Sequence, residues 1–592
     1  MLQILPKKCR RDIVEMIQNA GSGHIGGALS SIDIYLAILN QMDENDRLVV
    51  SHGHTSAALY SALGNMGYFD IQDAIQNFRQ NAPYEGHPSL SVNGVEWCSG
   101  SLGQGLSVGA GFALAKKLKK ESGKVFVVMG DGEQQKGQLQ EAREFAVKYH
   151  LDNLIAIVDY NGLQACGTVE DTTKQNLVDK YKLSGWDVKT VDGHDLEALQ
   201  QSLKSTEHPL FILAKTIMGK GIPEIENDWH YHGTVINKDL AKISLDRFTL
   251  TNDEQNLLKE IKKPNKGTYE APVIPISSGR NYQEITDIRS AMGNALADIA
   301  KEHPETPIAA FDCDLEGSVK LSDFKKLRPD FFIECGIAEH NAATVAAAVA
   351  KSGIVSVHAD FSMFNIAETY SQNRMADINK APLKLFSTHA GLDVGEDGKT
   401  HQSIDYISLL SNLYGFQVIV PADANQADKA VRYAMSVASP VAVIGGRSKM
   451  PILTDDTGKP LGFCYGKGQW LRKGNRGVII TYGNMAHRAI KVSDELRTEG
   501  IEIGVLNCPT PCDLDIGAIY DASKTGLVIT YEDHNVKSGI SGEVAKIISG
   551  TACCLKSLGV WKYGSSTTPE NLYREQGLDC ESLKKLIKSN LK

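Results

Sequence analysis

The chain has 592 residues, with 62 basic and 71 acidic side chains, a net charge of −9, and 42% hydrophobic against 22% charged residues. That balance is ordinary for a globular protein of about three or four domains, and it excludes a nucleic-acid-binding role resting on basic excess. No apolar run approaches the roughly 18 residues that would cross a bilayer, and MLQILPKKCRRD at the start lacks the apolar segment of a signal peptide.

Short apolar runs alternate with helical stretches along the chain. In order they include VFVVMG (125–130), NLIAIVDYN (153–161), HPLFILAKT (208–216), APLKLFSTH (381–389), GFQVIVPAD (415–423), GVIITYG (477–483) and TGLVITYED (525–533). Runs that are apolar without alternation suit strands covered on both faces, hence parallel α/β sheets. Residues 251–284 are polar, hold KKPNKG and end in SSGRN, and read as a linker. A second boundary falls at 451–465, around PILTDDTGKP. The expected organisation is therefore three α/β domains, about 1–250, 285–450 and 465–592. The eleven cysteines are scattered. Neither CPTPC, which holds Cys508 and Cys512, nor the adjacent Cys553 and Cys554 has the spacing of a zinc site. Free thiols in a reducing, cytoplasmic compartment are expected.

The most informative motif is GDGEQQKGQLQEA, starting at Gly130 directly after the run VFVVM. Gly130 and Gly132 let backbone approach a phosphate, and the helix start that follows favours anions. Asp131 and Asn161, the latter ending NLIAIVDYN, supply two oxygens from neighbouring strand ends. The Leu163 carbonyl offers a third. With phosphate oxygens completing it, this is the shell of an octahedral Mg²⁺, for which Ca²⁺ or Mn²⁺ could substitute.

Further motifs accompany it: GSGHIGGALSS (21–31), SHGHTS (51–56), GHP (86–88), SGSLGQGLSVGAG (99–111), WHYHG (229–233), GIAEHN (336–341), GLDVGEDGKTHQ (391–402) and EDHN (532–535). In this order and spacing the chain resembles the thiamine-diphosphate enzymes, specifically the transketolases, over nearly its whole length. The resemblance implies a diphosphate-binding domain and a pyrimidine-binding domain, both doubly wound parallel sheets, followed by a smaller C-terminal α/β domain. It also implies thiamine diphosphate with a divalent metal as cofactors, sugar phosphates as substrates, and a homodimer with active sites at the subunit interface. The activity implied is transfer of a two-carbon ketol unit from a ketose phosphate to an aldose phosphate. No nucleic acid and no membrane partner are expected.

Carried over onto matching positions, Glu339 of GIAEHN becomes the acid that pairs with the aminopyrimidine ring. It also opens an Ala-rich stretch, against which a carboxyl would be desolvated and its pKa raised. Phe361 and Phe364 become the aromatics flanking that ring. Gly100, Leu102 and His54 join Gly130, Asp131, Gly132 and Asn161 in holding the cofactor. His24, His87, His230 and His401 become candidates for proton transfer among sugar hydroxyls, to which imidazole is suited near neutral pH. Of the two histidines in WHYHG, His230 matches the family position best and His232 is second. His52 and His54 form an HxH with no third metal ligand in view. Arg289, Ser318, His389 and Arg447 match the family's phosphate contacts, where the arginine fork suits the anion. Asp397 matches an acid that reads a sugar hydroxyl. Two positions depart from the pattern: Lys136, where an acid is usual in a carboxylate cluster that includes the match of Glu141, and Ala367, where Tyr or Arg is common. The deoxyxylulose phosphate synthases share the cofactor motifs, but GHP, WHYHG and GLDVGEDGKTHQ lean toward transketolase. A silent binding protein is opposed by intact Asp131, Asn161 and Glu339.

Overall fold

Residues 2–80, 83–258 and 272–591 are described by the computed structural model, which divides into two units at residue 270. In the first unit the uninterrupted apolar runs become the centre of a five-stranded, all-parallel sheet. Its strands are β1 (Arg47–Val50), β2 (Val125–Gly130), β3 (Leu154–Tyr160), β4 (Asp187–Asp192) and β5 (Leu210–Lys215), in the order β1-β2-β3-β5-β4. Except at their C-terminal residues, β2 and β3 are buried throughout, because helices cover both faces. The helix Gly105–Lys119 lies tight on β2: a Cβ at Gly109 would come within 2.2 Å of Val127. A glycine-rich motif therefore sets this helix close to the sheet.

The expected linker 251–284 is only partly a linker. Residues 259–271 lie outside the described residues. Before them, Thr251 and Glu254 form a reciprocal capping box on a short helix, Asn252–Asn256. After them, Ile274 is buried in the core of the second unit.

The second unit carries two sheets. The first is six-stranded and parallel, with β6 (Ile308–Asp312), β7 (Phe332–Glu334), β8 (Val355–Phe361), β9 (Lys384–Thr388), β10 (Gln417–Ile419) and β11 (Val441–Ile444) in the order β7-β6-β8-β9-β11-β10. The second holds β12 (Gln469–Arg472), β13 (Val478–Thr481), β14 (Gly504–Asn507), β15 (Leu527–Asn535) and β16 (Cys554–Val560), in the order β12-β14-β13-β15-β16. Only the β12–β14 pair is antiparallel. Two small features set the site geometry. A two-residue antiparallel ribbon pairs Asp287 with Lys449, which brings the chain at Arg289 back beside Arg447. Directly after β8, residues Met363–Glu368 wind as a π-helical turn, a form concentrated at functional sites.

Candidate active site

In the first unit the loop after β2 meets the loop after β3. Asp131 is buried, and its Oδ2 accepts the Gly162 N–H at 2.6 Å. Burial, with Asp159 nearby, pushes its carboxyl up to about 7. Asn161 Oδ1 accepts the Leu163 N–H at 3.0 Å, and its amide nitrogen reaches Ser30 Oγ at 3.4 Å. Asp131 and Asn161, with Leu163 two residues on, thus bring oxygen donors to one pair of loops around a buried acid that has no ion pair among the described residues, a setting that would suit a hard divalent cation.

Two further acids support these loops, and neither was singled out by its motif. Asp159 on β3 accepts from Ser30 and Ser31, each at 2.6 Å, and from Thr216. Glu133 is fully buried and takes Ser51 Oγ at 2.5 Å, Gly103 N–H at 2.6 Å and Gly130 N–H at 2.9 Å. Burial raises its carboxyl above the usual range. Gly132 continues this turn, and Gly100 and Leu102 lie exposed in the loop before Gly105. Lys136 is also exposed. Its stem lies over Gly103.

A cluster of imidazoles sits beside these loops. Ring centroids of His24 and His54 are 5.2 Å apart, of His54 and His232 5.2 Å, and of His24 and His232 5.7 Å. Against expectation, His232 and not His230 joins them. His230 points to solvent at 67% side-chain exposure, stacks on Trp229 and bonds Asp228 at 2.6 Å. The WHYHG turn can aim only one of the two inward, and Asp228 caps it by holding His230 outside. His87 is near enough to lower both His24 and His54. Its GHP loop is held by Ser56 and Tyr60, which donate to the carbonyls of Gly86 and His87. Burial brings His24 down to about 4, and His54, His87 and His232 are also lowered, so this cluster is neutral at physiological pH. Arg79, on a left-handed turn, donates to His24 Nδ1 at 3.1 Å. This fixes the His24 proton on Nε2. No sequence motif marks Arg79.

In the second unit Glu339 is half-buried as the first residue of the helix Glu339–Ala350. Phe361 and Phe364, on either side of the entry to the π-helical turn, have near-parallel rings 5.8 Å apart. His401 faces Phe364 at 5.5 Å, and His389 lies against Phe361 at 3.6 Å. Ala367 is half-buried on the same turn. His389 has a left-handed backbone and is turned by Thr388 Oγ1 at 2.8 Å from its Nδ1. Its pKa falls to about 3 through burial and the cations Arg289 and Arg447. Arg289 donates to the Ser318 carbonyl at 3.1 Å, so Ser318 places it through backbone. Arg447 donates to Asp397 at 3.0 Å and to the Val394 carbonyl at 2.9 Å. Two guanidinium groups, Arg289 also paired with Asp287 at 3.3 Å and Arg447 with Asp397, thus stand about a neutral imidazole beside an aromatic wall. EDHN serves packing: buried Asp533 accepts from Leu392 N–H and Tyr573 Oη, and His534 Nε2 accepts from Ile407 N–H.

Three family models match the chain in succession: "Transketolase, thiamine diphosphate binding domain" over residues 4–267, "Transketolase, pyrimidine binding domain" over 285–452, and "Transketolase, C-terminal domain" over 466–583. The chain is 29% identical to the transketolase of Rattus norvegicus, across 99% of this chain and 97% of that one. It is 30% identical to transketolase-like protein 2 of Bos taurus, across 93% and 91%. Among solved structures, the transketolase of Campylobacter jejuni superposes with a TM-score of 0.85 at 25% identity, covering 99% of this chain and all of that one.

Proposed function

The chain belongs to the transketolase family and is a thiamine-diphosphate-dependent transferase, and from that premise we propose how its residues divide the work of moving a two-carbon ketol unit between sugar phosphates. Asp131, Asn161 and the Leu163 carbonyl would hold Mg²⁺. Glu339 would pair with the aminopyrimidine ring, with Phe361 and Phe364 as its aromatic neighbours. Thiamine diphosphate supplies, when bound, a nucleophilic carbon that breaks and makes bonds beside a carbonyl. The neutral imidazoles of His24, His54, His87 and His232 exchange protons with sugar hydroxyls, with His24 presenting its Nε2–H because Arg79 occupies Nδ1. Arg289, His389 and Arg447 hold the substrate phosphate, and Asp397 reads a hydroxyl while steadying Arg447. The reading includes a cytoplasmic homodimer in which each active site joins the first unit of one subunit to the second unit of its partner.

The observation that carries the substrate class is the convergence of Arg289 and Arg447 on His389. The test is a donor and acceptor panel with products identified by mass spectrometry. Phosphorylated ketoses with aldose phosphates should give chain-extended sugar phosphates with kcat/KM well above that for unphosphorylated donors. Decarboxylative condensation of pyruvate, with no ketol transfer, would instead assign the deoxyxylulose phosphate synthase reaction.

A further inference from the structure

The strands β7, β6 and β8 lie side by side in parallel register, with Glu334 opposite Asp312 and His358 opposite Phe311. Carried past the strand ends, the same register sets Cys335 and Asp360 on either side of Cys313, and the Cys335 N–H still bonds the Asp312 carbonyl at 2.8 Å. Lateral neighbours in a parallel sheet face the same way, as do residues i and i+2. Cys335, Cys313, Asp360 and His358 therefore share one face.

There the ligand atoms of Cys313, His358 and Asp360 all lie within 4.8 Å of one another, and all three residues are buried. His358 Nε2 and Asp360 Oδ2 are 3.8 Å apart. Among the described residues neither ring nitrogen of His358 has a hydrogen-bond partner, nor does Asp360 Oδ2, and the Cys313 thiol stands within reach of the Asp360 carboxyl. The other Asp360 oxygen is used locally, accepting the Phe361 N–H at 2.6 Å. Buried polar atoms almost always have partners, and His358 Nε2 and Asp360 Oδ2, both orphaned and 3.8 Å apart, call for a common occupant.

We propose that Cys313, His358 and Asp360 form a binding site for a divalent transition cation of the zinc type. Thiolate, imidazole and carboxylate together suit Zn²⁺, Co²⁺ or Fe²⁺, whereas Mg²⁺ takes oxygen ligands. Ligands about 2.0–2.3 Å from a tetrahedral centre are about 3.3–3.8 Å apart. The His358–Asp360 separation of 3.8 Å is a few tenths wider than the roughly 3.3–3.5 Å of a tetrahedral nitrogen–oxygen pair, and small rotations of these side chains and of Cys313 complete it. Cys335, the remaining neighbour on that face, or a water takes the fourth position. The thiol proton leaves to solvent as the metal binds. The cation would tie together the strand ends that carry Phe361 and lead to Glu339. It is distinct from the oxygen-only site at Asp131.

The test uses the holoenzyme, saturated with Mg²⁺ and thiamine diphosphate so that the oxygen site is filled, freed of transition metals by chelation and kept reduced with a phosphine. Titration with Co²⁺ should give one equivalent of thiolate-to-cobalt charge-transfer absorption with intense tetrahedral visible bands, displaced by Zn²⁺ but not by excess Mg²⁺. Cys313→Ser and His358→Gln should each lose stoichiometric binding. Absence of the thiolate band in the wild-type enzyme overturns the site whether or not the variants fold. So does a wild-type band that persists unchanged in either variant that folds.

Discussion

His230 and His232 sit two residues apart on one turn, yet their surroundings give them different chemistry. His232 packs edge-on to His24 and is desolvated, whereas His230 is exposed and paired with Asp228. General acid–base groups contribute about 10²–10⁴-fold. We therefore expect His232→Ala to lower kcat/KM by about that factor, with His230→Ala within about threefold of wild type. Equal losses in steady-state assays would remove the distinction. The two arginines differ in the same way. Arg289 has 14% side-chain exposure and Arg447 37%. A charge-assisted hydrogen bond is worth about 1.5–3 kcal/mol, and solvent screens the more exposed cation. Arg289→Ala should raise KM for phosphorylated donors toward about 100-fold and Arg447→Ala toward about 10-fold, while KM for hydroxypyruvate barely moves in either. A parallel rise for hydroxypyruvate would mean that the phosphate is held elsewhere.

At the scale of elements, the strand end Tyr531–Asn535 shows how burial becomes a pH dependence. Asp533 is buried, and its carboxyl is pushed up to about 7 by desolvation, from an ordinary value of 3.8. Between those values the folded state holds a proton that the unfolded state has released. Stability fully present below about pH 4 is thus lost as the pH rises to about 7, at about 1.4 kcal/mol per unit for each such group. Asp533→Asn keeps both contacts within reach, since one amide oxygen and one N–H can meet Leu392 N–H and Tyr573 Oη. The variant should lose less stability than wild type between pH 5 and pH 7, by up to about 2–3 kcal/mol in denaturant unfolding. Identical slopes would mean that Asp533 ionises freely in the fold. The same element explains what the sequence could reveal. TGLVITYED is legible as a central strand because both its faces are apolar and covered. DVKTVD at the edge of the first sheet is half-exposed and mixed in polarity, so period and burial give it no comparable signal. Asp131, Asn161 and Glu339 stand out in the sequence because backbone turns fix their motifs. Arg79, Asp159 and the choice between His230 and His232 depend on which side chain a distant loop turns inward, and local pattern does not carry that.

At the scale of the whole molecule, the proposed homodimer makes a prediction that no single chain could meet. The diphosphate-side residues lie in the first unit and Glu339 lies in the second. If each active site joins the first unit of one subunit to the second unit of its partner, two inactive variants should repair each other. Asp131→Ala damages the metal end, and Glu339→Gln removes the acid at the pyrimidine end. In a mixed dimer one site then receives both lesions and the other receives neither. Random re-pairing of equal amounts makes about half the dimers mixed, each with one intact site, so about a quarter of wild-type activity should return. Sites contained within one subunit would leave every site in the mixture with one lesion and restore nothing. The measurement is turnover after the two variants are dissociated together and re-associated with cofactor, with sedimentation confirming dimers. Lys136 offers an independent control on the interface. It is exposed in the chain, at a position where the resemblance to transketolases leads one to expect an acid. Lys136→Met should therefore weaken re-association only if a partner subunit supplies the counter-charge. Activity that returns equally well in that background would leave Lys136 a solvated cation, and would not weaken the case for sites shared between subunits.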